Sequence, residues 1–148
     1  MPDYIYYIDS NMTDGGYTSG GVQLHSTEIL SEGGLGAVVT QNVTLPYRGV
    51  GAALQATTGG ILAIPGYVPG SSSTTGPIYY ITPTGSSLRA TQGAFSLPQP
   101  LGRTSVCSYS GGRYAFVAGG ERGTDYSSKL YRITLTDSAR PSAVSLIG

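Results

Sequence analysis

Short apolar runs and alternating apolar–polar stretches recur along this chain between glycine, proline and Ser/Thr-rich turns, and no segment carries the 3.6-residue period of a helix. Read between the turn signals, residues 98–148 predict four strands: "TSVCSYS" (104–110), "RYAFVAG" (113–119), "KLYRITL" (129–135) and "SAVSLI" (142–147). Residues 46–97 predict four more: "GAALQAT" (51–57), "ILAIPG" (61–66), "PIYYITP" (77–83) and "LRATQGAFSL" (88–97). Ahead of them "YIYYID" (4–9), "GVQLHSTEIL" (21–30) and "AVVTQNVTL" (37–45) predict a partial unit, with a link of extra residues inserted in it.

The two complete units repeat. Shifting the chain by 52 residues lays 44–84 on 96–136 without a gap. Leu45-Pro46 falls on Leu97-Pro98, the glycine pair Gly59-Gly60 on Gly111-Gly112, Ala63 on Ala115, and Tyr79, Ile81 and Thr82 on Tyr131, Ile133 and Thr134. Tyr6 in "YIYYID" matches the third-strand tyrosines Tyr79 and Tyr131. A second pair, Gly119-Gly120, closes the apolar run "RYAFVAGG". The organisation this predicts is a single β domain over 1–148: a partial unit at 1–45 with an inserted loop, one repeat at 46–97 and a second at 98–148.

Composition agrees with an all-β class. The 148 residues include 23 glycines and 9 prolines, with 39% hydrophobic and only 11% charged residues, enough apolar matter for one core. Net charge is zero but unevenly placed. All eight basic residues follow position 47 and five of the eight acids precede it, so the first 47 residues carry −5 and the other 101 carry +5. That pattern suits either pairing within the chain or head-to-tail association of identical chains, and gives no reason to expect a nucleic-acid partner. The single cysteine, Cys107, reads as a buried structural thiol. The N-terminus has neither the basic region nor the apolar run of a signal peptide, and no window approaches the roughly 20 apolar residues of a membrane span, so a soluble chain without membrane insertion is expected.

Four-strand units of about 50 residues, with a glycine pair closing an apolar second strand, resemble the kelch repeat of β-propellers. The matching features span 38–148: Leu97-Pro98, Arg103 ahead of a first strand, Gly119-Gly120 at the end of the second, and Tyr131 as the third-strand aromatic. "AIPGY" replaces the diglycine in the first copy, and tryptophan is absent. The resemblance implies antiparallel four-stranded blades forming an incomplete propeller, with a β-sandwich or jelly-roll-like assembly as the alternative. Closed propellers have roughly four to eight blades, so a chain of this size leaves strand edges for another subunit.

No catalytic constellation emerges. His25, the only histidine, has Glu28 nearby but neither a nucleophile nor metal-ligand spacing around it. Glu121 and Asp125 share a loop with Arg122 and Lys129 and read as solvated ion pairs. "GGERGT" precedes no helix, and "TTGGILAIPG" lacks the Lys and Ser/Thr of a phosphate loop, so these glycines read as turn punctuation. No enzyme activity, cofactor or metal is therefore expected. Binding is. Twelve tyrosines against two phenylalanines and no tryptophan is unusual usage, and Tyr17, Tyr47, Tyr67 and Tyr126 in glycine-rich loops are candidates for contact with a partner or a glycan. The expectation is a structural or binding module acting as a homo-oligomeric or embedded assembly subunit, of the style of a phage tail, fibre or capsid-decorating protein. Its rivals are a lectin made by oligomeric propeller closure and a fragment of a larger kelch-type adaptor or enzyme.

Overall fold

The apolar pattern sorts the strands by depth. "GILAI" is an unbroken apolar run because both faces of its strand are covered, whereas "LYRITL" alternates because only one face is. The computed structural model describes residues 3–8, 12–13, 16–17, 21–46, 52–66, 77–99, 101–102, 104–109, 112–122, 125–137 and 140–148. In chain order these form β1 (Asp3–Ile8), the short β2 (Met12–Thr13) and β3 (Gly16–Tyr17), β4 (Val22–Ile29) and β5 (Val39–Leu45). Then come β6 (Ala53–Thr57), β7 (Gly60–Ile64), β8 (Tyr79–Thr84) and β9 (Ser87–Gln92). The last are β10 (Ser105–Ser108), β11 (Tyr114–Ala118), the short β12 (Glu121–Arg122) and β13 (Asp125–Tyr126), β14 (Leu130–Leu135) and β15 (Pro141–Leu146).

The protein is all-β and antiparallel. Sheet 1 has the order β1-β4-β5, sheet 2 β6-β7-β8-β9 and sheet 3 β10-β11-β14-β15; none closes into a barrel, and β2-β3 and β12-β13 are two-stranded ribbons. The described residues include no helix, and so none long and apolar enough to cross a membrane.

The three sheets stack face to face with sheet 2 in the middle. Between sheets 1 and 2, Val22, Leu24, Val43 and Leu45 meet Ile61, Ala63 and Ile81. Between sheets 2 and 3, Leu62, Ile64 and Ile78 meet Ala115, Val117, Tyr131, Ile133 and Leu135. Alternate residues of β7 thus enter opposite cores, the geometry of a pleated strand. Like strands face like strands: β5 lies against β9, both last in their sheets, and β6 against β10, both first. The Gln55 amide nitrogen donates to Ser108 Oγ across the second joint, at 3.1 Å.

The ladders refine the repeat. Ile81 pairs with Ile61, and its counterpart Ile133 pairs with Ala115, so the second strands correspond at a shift of 54 residues while the third correspond at 52. The first hairpin turns explain the slip. Thr57 pairs directly with Gly60 around Thr58-Gly59, whereas Tyr109 bonds to Tyr114 around residues 110–113, a turn two residues longer. The gapless alignment of Ala63 with Ala115 is therefore displaced by one pleat, and Ala63 corresponds to Val117.

Two further expectations are corrected. Tyr6 is not the equivalent of Tyr79 and Tyr131, because it lies on β1, the edge strand of sheet 1, and points forward toward sheet 2. Tyr79 and Tyr131 point backward, each toward the sheet before its own. Cys107 is exposed, not buried: on a period-two strand only one of Val106 and Cys107 faces sheet 2, and Val106 takes that place.

Burial raises the pKa of the Tyr131 phenol above its ordinary value, since desolvation penalises the phenolate. The folded state holds the proton more tightly than the unfolded chain. The stabilisation is thus complete below the unfolded-state value and lost as pH rises through the folded one. Denaturant midpoints should hold steady to about pH 9 and fall beyond about pH 10. Tyr131→Phe should flatten the fall, and an unchanged alkaline limb in that variant would assign it elsewhere.

Candidate binding surfaces

The outer face of sheet 3 is set by the ladders. Cys107 lies opposite Phe116, Phe116 opposite Arg132 and Arg132 opposite Ser145, all on the side away from sheet 2. Phe116 and Tyr114 are half-buried there, and the Arg132 guanidinium sits over the Tyr114 ring, 5.4 Å from its centroid. Arg132 Nε is buried without a hydrogen-bond partner. This face is aromatic and basic, with no other sheet against it among the described residues.

The outer face of sheet 1 is built from the opposite parity of β1 and β4. Asp3 lies opposite Ile29, Ile5 opposite Thr27, and Tyr7 opposite His25. Ile5, Tyr7 and Ile29 are about 40% exposed, high for large apolar side chains. The Tyr7 and His25 rings stack with centroids 5.3 Å apart, and His25 Nδ1 is 3.2 Å from Thr40 Oγ1. His25 is therefore held in the sheet face by a ring and a hydroxyl. This face mixes the apolar Ile5, Tyr7 and Ile29 with the polar Gln23, His25 and Thr27 and carries the acid Asp3.

Sheet 1 has three strands where its neighbours have four, and no described strand pairs with the outer edge of β1. A groove of about 250 Å³ opens beside that edge, between Tyr4 and Tyr6 on one side and Ala56, Gly60 and Leu88 of sheet 2 on the other.

The fourth feature is the ribbon β12-β13. It is anchored at its base: Gly102 and Glu121 exchange two backbone hydrogen bonds of 3.0 and 2.9 Å, and the Ser127 amide donates to the Gly120 carbonyl at 2.9 Å. Beside it lies a cavity of about 250 Å³ lined by Gln99, Leu101, Asp125, Tyr126, Ser128 and Lys129 among others. Tyr126 stands 83% exposed at its rim, and the buried Leu101 belongs to the core between sheets 2 and 3.

The remaining sequence candidates fall as follows. Gly59 and Gly60 occupy the first hairpin of sheet 2, where a Cβ on Gly60 would run into the Ile81 carbonyl oxygen. Gly112 occupies the matching hairpin of sheet 3 and donates to the Tyr109 carbonyl at 3.0 Å. Gly119 and Gly120 end β11 with φ of 64° and 104°. Tyr17 lies on β3, where the backbone alone is described; Tyr47, Tyr67, Arg103 and Gly111 lie outside the described residues. Glu121 and Asp125 stand on opposite strands of one ribbon, and among the described residues no group of three or more His, Cys, Asp and Glu is placed to hold a metal ion. The cavity beside Tyr126 was missed in the sequence because Gln99 and Leu101 are remote in the chain from residues 125–129. No protein-family model matches this chain, and no curated protein or solved structure matches it either.

Proposed function

We propose that the chain is a non-enzymatic assembly module that joins other copies of itself head to tail through its two outer sheet faces. One observation carries this reading: inside the chain the forward face of one sheet covers the backward face of the next, twice, with like strands apposed, and the two uncovered faces are the remaining halves of such a joint. The forward face of sheet 3 offers Phe116, Tyr114 and the cation Arg132. The backward face of sheet 1 offers Ile5, Tyr7, Ile29 and the anion Asp3. Apolar matter on both and opposite charges suit a heterologous contact, which generates a ring if the rotation closes and a filament if it does not. The free edge of β1 adds a second site for strand pairing.

Kelch-like blades are the form this proposal takes, supported by the like-over-like stacking and the glycine-closed second strand. A low charge fraction and glycine-rich turns suit a virion tail, fibre or decoration subunit. The test is charge exchange. Sedimentation equilibrium of the purified chain should show concentration-dependent association that weakens with salt. Arg132→Asp or Asp3→Arg alone should weaken it about tenfold or more, and the double exchange should restore it. A monomer at all concentrations, or failure of the double exchange to restore association, overturns the reading.

A further inference from the structure

We propose that the cavity beside the β12-β13 ribbon is a binding site for a neutral saccharide, a role separate from the assembly faces. The argument begins with its shape. At about 250 Å³ it falls just under the range of roughly 300–1,000 Å³ usual for drug-sized ligands, which suits one sugar ring with the rest of a glycan in solvent. It opens on a ribbon fixed at its base by the Gly102–Glu121 hydrogen bonds, so its walls are held before a ligand arrives.

Its chemistry is that of a sugar. A pyranose has one face of C–H groups and a rim of hydroxyls that both donate and accept. Tyr126, 83% exposed, offers a flat aromatic surface for the C–H face, and Leu101 supplies an apolar floor. Around them stand the Asp125 carboxylate, which accepts; the Lys129 ammonium, which donates; and the Gln99 amide and Ser128 hydroxyl, which do both. One acid and one base leave the lining neutral. A phosphate or acidic sugar would meet Asp125 as well as Lys129, so the site favours an uncharged ligand. An exposed tyrosine with two flexible torsions loses little entropy on ordering, which is the economical way to hold a weakly bound ring.

The test titrates the intact ¹⁵N-labelled chain with the methyl glycosides of glucose, galactose and mannose, followed by an array of neutral and acidic glycans. The expected result is saturable shifts at Leu101 and across 125–129 with at least one neutral glycoside. Tyr126→Ala should weaken binding about tenfold or more, Tyr126→Phe should keep it within about threefold because the ring remains, and Tyr109→Ala, removing an exposed tyrosine of another hairpin, should leave it unchanged. Circular dichroism of each variant verifies the fold. The proposal is overturned by the absence of saturable shifts with every glycan, by shifts located elsewhere, by binding indifferent to Tyr126→Ala, by equal losses in the Phe and Ala variants, or by selectivity for acidic glycans. None of these outcomes depends on whether the chain associates with itself.

Discussion

Truncating Tyr131 to alanine should cost the fold about 3–5 kcal/mol, the range for emptying a buried aromatic position. Tyr131 is 1% exposed and sits on an inner strand of sheet 3, paired with Val117 on one side and Leu146 on the other. Its ring enters the core that Leu62 and Ile64 fill from sheet 2. The cavity would lie between two hydrogen-bonded sheets, neither of which can collapse into it without breaking ladder bonds, so little of the cost is recovered by relaxation. Against a total stability of roughly 5–15 kcal/mol, such a loss removes a large fraction of the native population. Tyr79→Ala, at the same register in sheet 2 but only half-buried, should cost clearly less, and Tyr131→Phe no more than about 1.5 kcal/mol. Urea denaturation of the three variants gives the ranking. Equal costs at 131 and 79 would mean that the joint between sheets 2 and 3 is not packed as described.

How much of this was legible before any coordinates depends on which forces were local. Strand positions were, because period-two alternation and turn residues act within a few residues; "KLYRITL" lies on β14 and "RYAFVAG" on β11 with ends moved by a residue or two. Gly59-Gly60 and Gly112 mark hairpins, as turn punctuation predicts; Gly111 lies outside the described residues. What failed was anything that needed a face. Cys107 reads as buried because it is small, yet its parity on an edge strand turns it outward. Tyr6 matches Tyr79 through the shared "IYYI", but four identical letters do not fix direction, and in the fold Tyr6 on β1 turns toward sheet 2 whereas Tyr79 turns toward sheet 1. The unbroken "ILAI" against the alternating "LYRITL" held the stacking order all along, since only a middle sheet buries both faces. Tyr126 stands out through its glycine-rich loop, but the cavity beside it has no local signal, because Gln99 and Leu101 line it from a remote stretch of the chain.

The backbone bonds between Gly102 and Glu121 make Gly120 a position where a single side chain should do damage that reaches the cavity wall. Its φ of 104° is a conformation that β-branched residues avoid, which alone carries a penalty on the order of 1–3 kcal/mol. Space forbids the side chain as well. A Cβ at Gly120 would stand 2.8 Å from Thr104 Cγ2, 3.0 Å from the Gly102 carbonyl oxygen and 3.2 Å from Leu101 Cβ. Two of these three neighbours belong to the short segment that the ribbon grips, so relief means moving 101–102 away and losing the paired hydrogen bonds with Glu121. Gly120→Val should therefore destabilise by about 3 kcal/mol or more and speed hydrogen exchange at the Gly102 and Glu121 amides. Gly85 supplies the contrast: its φ of 61° is also left-handed, but nothing lies within 4 Å of its would-be Cβ. Gly85→Asn should cost under about 1 kcal/mol, because asparagine tolerates that backbone region. Comparable losses at 85 and 120 would show that backbone conformation alone sets the penalty. A much larger loss at 120, with exchange quickened at Gly102, ties the glycine to the close approach that shapes the cavity wall.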